Sequence, residues 1–386
     1  MDKADRIRSV ESFVLRAPAE LVRAQDDAPH LETLLVLIRT EAGLIGLGEC
    51  NHHPTAAQAF LSAAGRFRTG RGVVAALIGR DPGERAAICE ELYLGNFFSA
   101  RRGIGWAVLA AIDTALWDLT AQQAAVPLWR MLWGEQVQEP AAYQTLYTGA
   151  SPWPQTRERL AQMVAALAPL GFPWVKIEPL TDCVPEEHIG AFAADARALI
   201  GPEVGMLIDF GYRMPTAERA LAAIETCRPA APIAIETPCH IDAFEEWRRT
   251  ASTSPIPIAG AELLEHPEDY AQLMAAQVPI VQPWAVRLGV TGTLEVIQRA
   301  RAAQRRVMLA GWNATTVGLM AGIHLAAGLQ DPAPVLEHAA RALYDFPLRA
   351  IAGPEPVPRR GRFSLPERPG LGLSCDFDAI DRLRAS

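Results

Sequence analysis

From Pro140 onward, short apolar runs rich in β-branched residues alternate with stretches whose apolar positions recur at helical spacing. The runs are AAYQTLYTGA, WVKIEP, GMLIDFG, PIAIETP, IPIAGAELL, PIVQPWAVR, RRVMLAGWN and APVLEHA. Between them lie PQTRERLAQMVAALAPL, PEEHIGAFAADARALI, TAERALAAIETC, DAFEEWRRTAS, PEDYAQLMAAQ, TGTLEVIQRARAAQ and TTVGLMAGIHLAAG. Strands separated by helices pair in parallel, and their number favours a closed TIM-type (β/α) barrel, an α/β fold, over an open doubly wound sheet. Earlier in the chain the pattern differs. LETLLVLIRTEAGLIGLGEC reads as two short strands about a turn at Glu41-Ala42-Gly43, and helical periodicity dominates from Asp81 to Leu132, strongest in AVLAAIDTALWDLTAQQ. We expect an α+β capping domain over residues 1–135 and the barrel over 136–350. A Pro- and Gly-rich segment over 351–386 breaks the barrel rhythm and is expected to return to the first domain.

Composition narrows the partner. The 386-residue chain is 50% apolar and 21% charged, enough material for two cores. Its net charge is −8, and no Lys/Arg cluster is interleaved with aromatics, so no nucleic-acid partner is expected. The N-terminus MDKADRIRSV carries charges where a signal peptide needs an apolar centre, and no uninterrupted apolar run approaches the roughly 18 residues of a membrane span. We expect a cytoplasmic protein, a homo-oligomer, that binds a small molecule and no membrane. Its six cysteines are scattered without a C-x-x-C pair, which argues against a zinc site or disulfide framework.

The candidate chemistry sits at the ends of the β-like runs. Asp209, Glu236 and Glu262 follow one another at steps of 27 and 26 residues, about one βα unit each. Catalytic groups of a barrel project from the C-terminal strand ends, so these three carboxylates should converge. Crowded carboxylates raise each other's pKa unless a countercharge intervenes, and an all-oxygen set suits Mg²⁺, or Mn²⁺, better than zinc.

At these residues the sequence resembles the enolase superfamily, in the branch of mandelate racemase and muconate lactonizing enzyme. GLIGLGEC resembles the N-terminal-domain signature ending in Gly-Glu, and AIDTALWDLTAQQAAVPLWRMLWG resembles the helix before the barrel. LIDFG, AIETP and IAGAE resemble the three metal-bearing strand ends, and RPGLGL the closing segment. The resemblance implies metal ligands at Asp209, Glu236 and Glu262. It also implies a shared reaction, abstraction of the proton next to a substrate carboxylate with the metal stabilising the enediolate.

The acid-base positions depart from that pattern. The branch carries Lys-x-Lys at the end of the second barrel strand, whereas here Lys176 is followed by Glu178. Trp284 in VQPWAVR aligns with the branch's Asp and Ala310 in VMLAGW with its His, while Glu337 in VLEHAA aligns with a glutamate that donates a hydrogen bond to the substrate. Three readings stand: Glu178 is the base; Glu178 binds the metal or Lys176 and the base is Lys176, Tyr212, Arg213 or His240; or proton abstraction is lost. His52, His53 and the stretch Ala24 to His30 fall where the branch's capping loops meet substrate, and Trp284 and Trp312 are placed to line the pocket. His188, His266 and His324 lie in helical runs and suit structural roles, and His338 alternates to the other face of its strand. The function this implies is a Mg²⁺-dependent lyase, a dehydratase of a hydroxy acid or sugar acid. The alternatives are a racemase, epimerase or cycloisomerase on a related carboxylate, a binding protein without turnover, and a metal-hydroxide hydrolase. Trp284 and Ala310 also imply a less polar far wall.

Overall fold

A 21-residue helix, Gly103–Gln123, organises the first domain. It is long and apolar enough to span a bilayer, yet 83% of its most apolar window is buried inside the protein. Against it packs an antiparallel sheet of Ile7–Pro18, His30–Thr40 and Ile45–Cys50, in that order. The sheet and helix approach closely because the third strand carries glycines: a Cβ at Gly46 or Gly48 would lie 2.3 Å from the Ala115 carbonyl oxygen or 2.0 Å from that of Ala111. The computed structural model describes residues 5–18, 30–65, 72–148, 155–179, 184–312 and 315–385. The stretch Ala24 to His30 therefore lies outside the described residues up to His30 itself.

Eight parallel strands follow: Ala142–Leu146, Trp174–Ile177, Gly205–Asp209, Ala234–Glu236, Ile258–Gly260, Ile280–Val281, Arg306–Val307 and Leu336–His338. Each lies inside one of the β-like runs read from the sequence. The first and eighth strands pair, and the seventh reaches the eighth through the Leu309–Leu336 bridge, so the sheet curls round on itself as a (β/α) barrel. Helices separate the strands, as the alternation predicts.

The conspicuous AIDTALWD segment joins the domains. Asp118 accepts hydrogen bonds from the Leu47 amide (3.0 Å), the Leu371 amide (2.8 Å) and Gln122 Nε2 (2.9 Å), tying the capping sheet to the C-terminal segment. Asp113 accepts from the Thr291 amide (2.8 Å) and hydroxyl (2.5 Å), where the barrel helix Ala285–Ala302 restarts after a break at Gly289. Glu49, of the Gly-Glu signature, accepts from the Thr315 hydroxyl and the Gly318 amide at the N-terminus of the helix Thr316–Ala326. Beyond the barrel, Ala352–Gly353 pairs with Ser374–Cys375, and the Ala385 amide donates to the Val14 carbonyl at 2.8 Å.

Candidate active site

Side-chain alternation sets the floor and lining of the site. Tyr143, Leu207, Ala234, Ala259, Ile280 and Met308 form an apolar layer apart from the main core, with Trp174 packed against it. Two residues further along the same strands, the same face presents Thr145, Asp209, Glu236, Ala261, Gln282 and Ala310, and Lys176 then Glu178 continue from Trp174. Register aligns them, because Thr145 lies opposite Lys176 and Asp209 opposite Glu236.

Lys176 is the hub. Its Nζ lies 2.8 Å from Glu236, 2.8 Å from Glu337, 3.4 Å from Asp209 and 3.5 Å from Glu178. Burial would push this ammonium down, but the surrounding carboxylates outweigh it and hold its pKa well above the ordinary lysine range. The carboxylates therefore raise Lys176 where the reading of it as a base asks for a lowered pKa, and the ammonium serves here as their shared countercharge. Burial opposes ionisation of Glu337, yet Lys176, the Thr145 hydroxyl at 2.5 Å and the Gly311 amide at 3.0 Å hold its carboxyl below the usual range.

The loops after the third and fourth strands are zipped together. The Phe210 amide donates to the Glu236 carbonyl (2.9 Å), the Tyr212 amide to Thr237 (2.8 Å) and the Met214 amide to Pro238 (3.1 Å). Tyr212, held at φ 60, donates through its hydroxyl to Glu262 at 2.8 Å and accepts from the Leu263 amide at 3.3 Å. Asp209 accepts from the Gly211 amide at 2.7 Å and from the Thr237 hydroxyl. Burial and the neighbouring Asp209 push the Glu262 carboxyl up to about 7, and burial pushes Glu236 well above the usual carboxylate range despite Lys176.

The donor chemistry fits a hard divalent cation. Asp209, Glu178, Glu236 and Glu337 gather around one lysine, with Glu262 beside them on Tyr212, leaving negative charge in excess, and Glu236 Oε2 is buried with no hydrogen-bond partner. Among the described residues no group of three histidine, cysteine or carboxylate side chains already encloses one cation position. Lys176 and Tyr212 hold the carboxylates instead, and the orphaned oxygen with the raised Glu236 and Glu262 carboxyls marks where the uncompensated charge lies.

Above the strand ends is a cavity of about 460 Å³. Its described lining combines Lys176, Glu178, Asp209, Tyr212, Arg213, Glu262 and Glu337 with Trp284, Ala310, Trp312, Leu31, Leu263, Tyr147 and Phe346. His52, His53 and His240 are not among its described lining residues. The His52 ring is held by Glu265 at 3.0 Å and Arg287 at 2.5 Å, His53 is exposed at φ 40 before the helix Pro54–Ser62, and His240 is exposed beside the helix Phe244–Thr253. His338 stacks on Phe172 away from the site, where burial pushes its pKa down to about 3. Sequence reading missed Thr145, Tyr147 and Phe346. Thr145 was signalled by its phase two residues beyond Tyr143, whereas Phe346 enters from an irregular segment that carries no periodic signal.

A parallel barrel with buried carboxylates at its C-terminal strand ends and a second domain tied across it defines a class of barrel enzymes. Residues 157–379 match the enolase C-terminal domain-like family, and residues 10–133 match the N-terminal domain of mandelate racemase and muconate lactonizing enzyme. The chain belongs to the enolase superfamily, in its mandelate racemase and muconate lactonizing enzyme branch. It is 29% identical over 380 residues to the D-gluconate dehydratase of Thermoproteus tenax, covering 95% of this chain and 73% of that one. It is 27% identical to the D-galactarolactone cycloisomerase of Agrobacterium fabrum, over 91% of both chains. A racemase from Streptomyces coelicolor, solved with bound magnesium, shares the fold with a TM-score of 0.83 at 21% identity, over 98% of this chain and 100% of that one. The relatives are lyases and isomerases, so the protein is an enzyme of that group.

Proposed function

We propose that the protein is a Mg²⁺-dependent lyase that removes the proton next to the carboxylate of a hydroxy acid or sugar acid and expels the β-hydroxyl as water. One observation carries this. Glu178 lines the cavity beside the charged Lys176, whereas Trp284 and Ala310, at the sixth and seventh strand ends, offer no ionisable group. In this reading proton transfer is made from the Glu178 side alone, which suits elimination and disfavours racemisation, where each face of the carbon needs its own group.

In this reading Glu178 accepts the α-proton, and the C–H electron pair becomes the C=C bond of an enediol. That pair then moves to form the C2=C3 bond as the β C–O bond breaks, and the proton held on Glu178 leaves with the hydroxyl as water; the resulting enol tautomerises to a 2-oxo acid. Lys176 holds Glu178 in place and stays charged throughout, and Glu337, fixed by Thr145 and Gly311, meets the substrate carboxylate. Asp209, Glu236 and Glu262 would hold Mg²⁺, which when bound stabilises negative charge on the substrate carboxylate oxygens. The D-gluconate dehydratase relative supports the elimination, and the D-galactarolactone cycloisomerase keeps an isomerisation from the same face as the second reading. The enzyme is proposed as a cytoplasmic homo-oligomer acting on a small carboxylate.

Incubating hydroxy acids with protein and Mg²⁺ in deuterated water and following the α-proton by NMR tests this. Exchange should occur with the natural chain and fall by about 10²-fold or more in Glu178→Gln, with Mg²⁺ binding retained. Exchange in no acid, or undiminished exchange in Glu178→Gln, would overturn it.

A further inference from the structure

We infer that the substrate carries an aryl or branched alkyl group beyond its reacting carbons, and is not a polyol. The inference rests on the proposed α-proton abstraction for the placement of the acid end, and concerns what fills the remaining space.

The cavity, at about 460 Å³, is lined by apolar side chains as well as by the strand-end carboxylates. Its apolar lining among the described residues is Trp284, Ala310, Trp312, Phe346, Leu31 and Leu263. Trp284, Val286 and Ala310 form an apolar cluster of their own, separate from the barrel core. Trp312 is fixed by edge contacts with Tyr344 at 4.9 Å and Phe346 at 5.7 Å between ring centroids, so the wall cannot readily turn polar groups inward. Hydroxyls pressed against such a wall lose their water without gaining partners, and each unsatisfied hydroxyl opposes binding. A ring or branched alkyl group gains from the same burial. Among the described lining residues the charged groups lie at the strand ends and in the loop just after the third strand, which matches a compound whose carboxylate and hydroxyls are all at one end. A 2,3-dihydroxy acid with an aryl group on C3 has that layout. Loss of the C2 proton and the C3 hydroxyl would yield water and the enol of an aryl-2-oxo acid.

The probes are 2,3-dihydroxy-3-phenylpropanoate, as its separate stereoisomers, and D-gluconate, each with the full chain and Mg²⁺. Calorimetry reads affinity, and NMR in deuterated water reads α-exchange and phenylpyruvate formation. We expect one aryl stereoisomer to bind at least tenfold tighter than gluconate and to be dehydrated, and Ala310→Asn, which places an amide on the wall, to reduce that preference several-fold. Tighter aryl binding without exchange would leave this inference standing and remove the proposed lyase reaction. Gluconate binding as tightly as every aryl stereoisomer would overturn the inference whether or not exchange occurs.

Discussion

Replacing Lys176 by Met removes the cation from the centre of the site while keeping its length and its apolar stem. Lys176 is 3% exposed and faces two carboxylates at 2.8 Å and two more at 3.4 and 3.5 Å. Breaking a buried pair from one side strands the other charge, which costs about 3–5 kcal/mol. In the natural chain the raised lysine pKa means this stabilisation is complete below the unfolded value of about 10.4 and is lost only as pH rises through the folded one. In the variant the pH dependence moves to the carboxylates. Burial already raises Glu236 and Glu262, the latter to about 7, and without Lys176 both rise further. An acid with a raised folded-state pKa destabilises as it ionises, so the deficit should be larger at about pH 8 than at about pH 5, where the carboxyls hold their protons. Nine tryptophans give a fluorescence signal for urea unfolding, which should be run for both chains across that range. A deficit under about 1 kcal/mol, or one of equal size at both pH values, would refute the assignment of Lys176 as the cluster's countercharge.

Further outcomes follow from the same geometry. Tyr212→Phe removes a hydrogen bond that lowers the Glu262 carboxyl, so its pKa should climb from about 7 by up to about one unit, or about 1.4 kcal/mol, visible by carbon NMR of that carboxyl; an unmoved titration would show that the bond does not form. Gly289→Ala places a Cβ 2.7 Å from Asp113 Oδ2 at φ 69, and calorimetry should find a loss of about 2–4 kcal/mol, with an undiminished transition counting against the described domain junction. Free Mg²⁺ at about one hundred times its Kd should raise stability by about 2.7 kcal/mol and a chelator should reverse this, whereas the absence of any shift would remove the metal assignment.

Much of the barrel was legible because its rhythm is local. Each β-like run contains an observed strand, and the spacing of Asp209, Glu236 and Glu262 did mark successive strand ends. The strand Ile7–Pro18 was missed: its burial does not alternate cleanly, and it is held as a strand by pairing with His30–Thr40. The barrel helix expected from Thr291 starts at Ala285, since a short helical turn precedes the break at Gly289. The histidines of the capping loop were legible as polar groups in a suggestive place, but their direction was not, because contacts with Glu265 and Arg287 from distant barrel loops decide where His52 points.

The sequence alone determined which residues share a strand face, since a period of two needs no partner, and so it placed Lys176 and Glu178 together and the three carboxylates one unit apart. Only the tertiary structure decided what those charges do. The closing of the sheet brings Glu337 from the eighth strand to within 2.8 Å of Lys176 on the second, and the gathered carboxylates, outweighing burial, make that lysine their shared countercharge. The physical reason is that ionisation depends on the summed field and desolvation at a point, and groups 161 residues apart in sequence set both there.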